Sequence, residues 1–207
     1  MAQYFQIHPT HPQSRLIKRA VDIVRAGGVI VYPTDSSYAL GCHIGDKQAM
    51  ERIRRVRRVD DQHNFTLVCR DLSEVAQYAR VGNADYRLLK ANTPGPYTFI
   101  LPATREVPRR LQHPKRKTIG LRIPAHVIAQ ALLTELNEPL MSSTLILPGE
   151  TLPLSDPEEI RQRLEHDVDL VVDGGFCGLE PTTVVELEQG QAKLLRQGRG
   201  ESSQFGG

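Results

Sequence analysis

The chain has 207 residues, of which 40% are hydrophobic and 24% charged, and a net charge of +2. Such a composition excludes a disordered or fibrous chain and points to one soluble globular domain, 1–207, long enough to bury a core. So slight an excess of positive charge does not mark a nucleic-acid binder; what matters is where the basic residues sit.

In chain order, the extended segment "QYFQIHPTHP" precedes a helix that Ser14 starts as N-cap, with Leu16, Ala20, Ile23 and Val24 inward; Gly27 and Gly28 end it. The continuous apolar run Val29 to Tyr32 predicts a strand buried on both faces. It breaks at Pro33-Thr34-Asp35-Ser36-Ser37, and "YALGCHI" resumes a strand, so Thr34 and Ser36 fall at a strand end, where α/β folds build sites. A helix from about Asp46, the strand "FTLVC", the helices "DLSEVAQYA" and "ADYRLLKAN", and the turn and strand "PGPYTFILPAT" follow. Next come a short helix at "PRRL", the strand "TIGLRIP", the helix "AHVIAQALLTELN" and the strand "PLMSSTLIL". Ser155 and Glu158 suggest a capping box for "DPEEIRQRLEHD", and "VDLVVDGG", "TTVVEL" and "AKLLRQG" complete the strands. Interleaved helices and strands without repeats predict an α/β fold around a mixed sheet, with an antiparallel C-terminal part.

Cys42, Cys69 and Cys177 are far apart and form no CxxC pair, which suits free thiols in a reducing compartment. "MAQYFQIHPTHP" has no apolar leader core, and no apolar run reaches membrane-spanning length. A cytoplasmic protein without a membrane partner is expected.

The helix from Asp46 carries five arginines between Arg52 and Arg58. On a helical wheel Ala49, Met50, Ile53 and Val56 form the buried stripe, while Arg54 and Arg58 lie opposite as a solvated face, with Glu51 placed to pair with Arg54 and Arg55. Arg57 does not fit. A continuing helix aims it into the apolar stripe, where an unpaired guanidinium is costly. Either the helix ends near Val56, or Arg57 crosses the edge of the core to a specific anion. Arg55, flanking it, completes an Arg-x-Arg pair suited to bidentate phosphate or carboxylate binding.

Arg109, Arg110, Lys115, Arg116 and Lys117 form a second basic cluster, either a solvated loop or an electrostatic footprint for RNA. Arg122 differs, lying inside the apolar "IGLRIP", from which it points to solvent or into a cleft. His8 and His11 sit in a Pro-broken segment, and His43 and His63 are isolated, so no metal site is expected. No Walker A loop, GxGxxG or Gly-x-Ser-x-Gly elbow occurs. From residue types and spacing alone, the catalytic residues are unassigned.

"VYPTDSSYALGC", Arg55-Val56-Arg57, "PGPYTFIL", "GLRIP", "PLMSSTLILPG", "GLEPTTVVEL" and "LLRQG", in that order, resemble the YrdC/YciO family over about residues 14–198. The resemblance implies an open twisted mixed sheet with flanking helices and a basic concave surface. It also implies double-stranded RNA binding, or threonylcarbamoyl-AMP synthesis from threonine, bicarbonate and ATP with Mg²⁺, for the threonylcarbamoyladenosine modification of tRNA. Carried over residue by residue, Thr34, Arg122, Ser142 and Thr182 would line the amino-acid pocket, with Arg122 on the substrate carboxylate. Arg55, Arg57, Thr144 and Arg196 would hold the nucleotide phosphates.

Two positions depart from the synthases. Their Lys-x-Arg is Arg55-Val56-Arg57 here, a wide fork in place of a compact point charge. Their Ser-x-Asn is Thr144-Leu145-Ile146, and Ile146 forms no side-chain hydrogen bond; one such lost contact costs about 1–3 kcal/mol, roughly ten- to a hundredfold in rate or affinity. Both departures match the YciO branch. The sequence therefore favours a protein that binds RNA or a nucleotide, with tRNA-modification proteins as partners. Threonylcarbamoyl-AMP synthesis is the alternative.

Overall fold

In the computed structural model, which describes residues 1–205, the strands form one ten-stranded sheet in the order β1-β8-β2-β3-β7-β4-β6-β5-β9-β10. The strands are β1 (Gln3–Gln6), β2 (Ile30–Tyr32), β3 (Ala39–His43), β4 (Thr66–Val68), β5 (Tyr97–Pro102), β6 (Thr118–Arg122), β7 (Leu140–Thr144), β8 (Leu170–Asp173), β9 (Thr183–Glu188) and β10 (Gln191–Arg196). The helices are α1 (Ser14–Arg25), α2 (Lys47–Arg57), α3 (Leu72–Tyr78), α4 (Asn83–Asn92), α5 (Val127–Leu136) and α6 (Pro157–Leu164). The sheet is mixed: β8 runs parallel to β1 and β2, β4 to β6, and β5 to β9, and the remaining pairs are antiparallel. The single-domain α/β fold with an open mixed sheet is thus observed. The antiparallel C-terminal part is confined to the β9–β10 hairpin, because β8 inserts between β1 and β2.

Alternation along each strand divides the side chains between two cores. Val29, Val31, Leu40, Met141 and Val171 face the helices α2 and α6. Ile30, Tyr32, Val68, Leu140, Leu170 and Val172 face α1 and α5. Burying each such side chain contributes about 1.5–3 kcal/mol. Past Val68 and Leu140 the second face leaves the core under α1 and α5. There the same strands present Ser142, Thr66, Gly120 and Thr98, and the uncovered stretch is a cleft floor.

Local details differ from the periodicity in instructive ways. α1 buries Ile17, Ala20, Val21 and Val24, while Leu16 and Ile23 pack only at its edge, so the inward face is rotated from the expected one. Gln13 is its N-cap, without a capping side-chain bond, and Ser14 is the first helical residue. Gly27 at φ +87° follows the last turn, as the glycine pair predicted. Asp156, not Ser155, caps α6; its carboxylate accepts from the amide of Glu158. A carboxylate adjacent to Pro157 meets the free amides of the first turn more directly than a hydroxyl one residue earlier.

Candidate functional site: a hydroxyl-floored cleft with inward arginines

The cleft has a volume of about 330 Å³. Its floor is a row across adjacent strands: Ser142 pairs with Thr66, Thr66 with Gly120, and Gly120 with Ile100. Gly120 keeps the centre low. A Cβ there would stand 3.3 Å from both Thr66 Oγ1 and Thr98 Cγ2, tighter than ordinary contact. Ser142 Oγ donates to the Leu40 carbonyl (3.1 Å), so its bond to Tyr32 (2.7 Å) has the tyrosine hydroxyl as donor. That bond is the seam between the packed half of the face and the open half. Burial pushes the Tyr32 hydroxyl up to about 12, so it stays protonated and able to donate. Across the floor Thr98 and Thr182 join hydroxyls at 2.8 Å.

Arg57 is the last residue of α2, and Arg58, in a left-handed conformation at φ +50°, turns the chain away. The helix thus ends one residue beyond Val56, and Arg57 lies across the core edge against Ser143 and the Ile146 carbonyl. Its Nε donates to the Ile146 carbonyl (3.2 Å) and its Nη1 to Ser143 Oγ (2.6 Å), while Nη1 also lies 3.0 Å from His63 Nε2. Burial lowers its proton affinity, and among the described residues it has no carboxylate partner. Arg196 enters from β10, with Nε and Nη2 donating to the Thr182 carbonyl (3.2 and 2.9 Å); its proton affinity is likewise lowered by burial. Arg116 also borders the cleft, but its charge is paired with Glu186 at 2.7 Å.

The structure therefore gathers Arg57, Thr144, Arg196, Ser142 and Thr182 around one cleft. It separates others. Arg55 was expected to face the concavity beside Arg57; it is exposed and outside the lining, because residues two apart on an α-helix project roughly 200° from one another. Arg54 was expected in solvent. Its side chain is only 11% exposed, with the guanidinium over the Phe65 ring and an ion pair to Glu51 at 2.6 Å. The reversal at Arg58 lays Phe65 back along the helix, and that covers it. Glu51 accordingly pairs with Arg54, as expected, but has no bond to Arg55.

Thr34 and Arg122 are buried together and lie outside the cleft lining. Arg122 shares the face of β6 with Gly120, two residues away, but is paired with Asp35 and donates to Thr34 Oγ1 at 3.2 Å. Asp35 in turn accepts from the Ala125 amide at 2.8 Å. Thr34 Oγ1 donates to the Ser37 carbonyl (2.6 Å) and accepts from the amides of Ser36 and Ser37 (3.2 Å each), closing the polar corner. Arg122 keeps one unsatisfied buried atom, Nε. Arg109, Lys115 and Lys117 are exposed, and Arg110, also exposed, donates to the Gly45 carbonyl at 2.6 Å.

The sequence pattern left out His63, Ser143, Thr66 and Thr98. Thr66 and Thr98 carried a usable signal: hydroxyls at alternate positions of otherwise apolar strands. His63, read as isolated, gave none, because its partners are 6 and 80 residues away. Burial and the neighbouring Arg57 and Arg54 charges hold its imidazole down at about 4, so it is neutral at pH 7.

This fold and cleft define a class. The family model described as Sua5_yciO_yrdC, telomere recombination, matches residues 22–198, and the chain belongs to that family. Within it, the chain is 59% identical over 205 residues to the uncharacterised protein YciO of Escherichia coli K12, covering 99% of this chain and 100% of that one. It is a YciO-type, YrdC-like protein, and the crystal structure of E. coli YciO superposes with a TM-score of 0.95 over 99% of this chain and 100% of that one. It is also 33% identical over 185 residues to threonylcarbamoyl-AMP synthase of Chromobacterium violaceum, 88% of this chain and 94% of that one. Sua5 of P. abyssi, complexed with L-threonine, shares the fold at 23% identity (TM-score 0.86), over 94% of this chain and 57% of that one. No helix among the described residues is long and apolar enough to cross a membrane.

Proposed function

We propose that the cleft binds the phosphates of an RNA or of a free nucleotide, in a step connected with tRNA modification. The observation that carries this is Arg57: half-buried, aimed at the cleft, and held by a hydroxyl and a carbonyl rather than by a carboxylate. A guanidinium so placed keeps its full charge, and a charge-assisted bond to phosphate is about twice as strong as a neutral one. Arg196 adds a second such group, and the exposed Arg109, Lys115 and Lys117 offer a path for a strand leaving the cleft. Among the described residues no group of three or more His, Cys, Asp or Glu could hold a metal ion. A Mg²⁺ ion, if it came with a nucleotide, would neutralise charge on the phosphates that Arg57 and Arg196 face.

Equilibrium binding of tRNA, double-stranded RNA and ATP to the parent and to Arg57→Ala tests this. The parent binds at least one of them with a steep salt dependence, and the variant loses about ten- to a hundredfold. Salt-insensitive or absent binding of all three, or an unaffected variant, refutes it.

Threonylcarbamoyl-AMP synthesis is the second reading, favoured by the hydroxyl floor of Ser142, Thr144 and Thr182 and by the 33% identical synthase. Against it stand Ile146, whose side chain offers the cleft no hydrogen bond, and Arg122, whose charge Asp35 already pairs. Labelled bicarbonate incorporation with threonine, ATP and Mg²⁺, run beside Ile146→Asn, separates the cases. Product from the parent establishes the chemistry; product from the variant alone shows a scaffold that has given the reaction up.

A further inference from the structure

His63, Ser143 and Arg57 form a closed triangle at one wall of the cleft. Arg57 Nη1 lies 2.6 Å from Ser143 Oγ and 3.0 Å from His63 Nε2, and those two atoms are 3.0 Å apart. Only one assignment of hydrogens puts a donor on every side, with the single lone pair of Nε2 shared between two donors. A guanidinium cannot accept, so Nη1 donates one proton to each neighbour, and Ser143 Oγ then donates to the bare Nε2. The imidazole thus carries its proton on Nδ1 and is an acceptor at Nε2. Phe65 meets the ring edge-on at 5.3 Å and fixes its plane.

We propose that His63 is a positioning residue for the phosphate site at Arg57: with Ser143 it aims the guanidinium into the cleft through uncharged acceptors, leaving the positive charge for the ligand. Buried charges are ordinarily paired, and a carboxylate that orients an arginine's fork also cancels its charge. Arg122 with Asp35 is such a pair in this same molecule. The inference rests on the phosphate-binding function proposed above.

The charged groups facing the ring are Arg57 and Arg54 from α2 and Asp60 from the turn after it; the two arginines outweigh the one carboxylate and keep the ring neutral. Because Nε2 must stay bare to accept from Arg57 and Ser143, the arrangement holds only while the ring is neutral, above about pH 4.

The test is the affinity of the full chain for inorganic tripolyphosphate across pH 5 to 8, by calorimetry, for the parent and three variants. His63→Glu, which would pair with Arg57 and cancel it, loses about 10- to 100-fold, and His63→Ala about 3- to 10-fold. His63→Gln supplies an uncharged acceptor oxygen and recovers most of the loss of His63→Ala. The ratio of parent to His63→Gln affinity stays nearly constant from pH 8 to about 5, because the imidazole is neutral over that range. Equal affinity of parent and His63→Glu, or a glutamine variant no better than alanine, overturns the inference. If His63→Glu fails to fold, the alanine and glutamine variants decide it alone. A parent that binds no tripolyphosphate instead overturns the phosphate-cleft function itself, so the two failures are distinguishable.

Discussion

Under α1 and α5 the sheet presents Ile30, Tyr32, Val68, Leu140 and Leu170, whereas further along the same face it presents Thr66, Thr98, Gly120, Ser142 and Thr144. β4 and β7 contribute to both regions: Val68 and Leu140 are core, and two residues away Thr66 and Ser142 are cleft floor. The backbone ladder is continuous through the change. What differs is side-chain chemistry and whether a helix passes over it. Removing the apolar side chains removes the reason for a helix to pack there, and the hydroxyls that replace them serve a polar ligand equally well. A core and a site are thus two treatments of one surface.

The comparison breaks first if the two regions share their energetics. Leu132→Ala, in α5 and almost fully buried, is expected to cost about 2–5 kcal/mol in chemical denaturation while leaving the folded protein's phosphate affinity within about twofold. Arg57→Ala is the converse: about 1.5–3 kcal/mol lost from tripolyphosphate or RNA binding, with unfolding free energy changed by less than about 1 kcal/mol. Equal effects of either change on both measurements would merge the regions.

Acid sharpens the contrast. The folded value of His63 lies below its unfolded one, so the unfolded chain binds more protons between them. Its contribution is fully present above about pH 6.5 and declines as pH falls toward about 4. After discounting for the partial exposure of the ring, the loss is on the order of 1–2 kcal/mol. Burial lowers His126 in the same direction, so His63→Gln flattens the pH dependence of unfolding without abolishing it. A variant with the parent's slope would place the linkage elsewhere.

Gly120→Ala tests the floor more gently. Its methyl group meets Thr66 and Thr98 at 3.3 Å and takes up room the ligand would use, so affinity falls several-fold while stability moves by less than about 1 kcal/mol. The smallest effects belong to the exposed lysines. Lys115→Ala and Lys117→Ala should each lower the slope of log affinity for RNA against log salt by about 1, with little change in tripolyphosphate binding.

Much of this was legible in the chain itself. The order of elements follows from apolar runs and turn residues, and the misfit of Arg57 on its wheel is met by a helix that ends at that residue. The failures have specific causes. Arg54 and Arg55 exchanged roles because a wheel describes one helix, and the covering ring of Phe65 comes from the returning chain. Thr34 and Arg122 lie buried beside Asp35, which no pattern along the chain announces as the partner of Arg122. Ser155 and Asp156 competed for one cap, which neighbouring polar residues cannot settle from sequence.

By itself, the sequence determined the α/β class, the hydroxyl-rich strands and an arginine with no place on its helix, because these depend on periodicity and residue chemistry within short segments. The tertiary structure alone decided which arginine keeps its charge. Strand order brings Ser143 and the Ile146 carbonyl across 86 and 89 residues to Arg57, and the turn after α2 brings His63 to the same place. Charge at a site is set by those neighbours, and neighbours that distant in sequence are fixed only when the sheet closes over them.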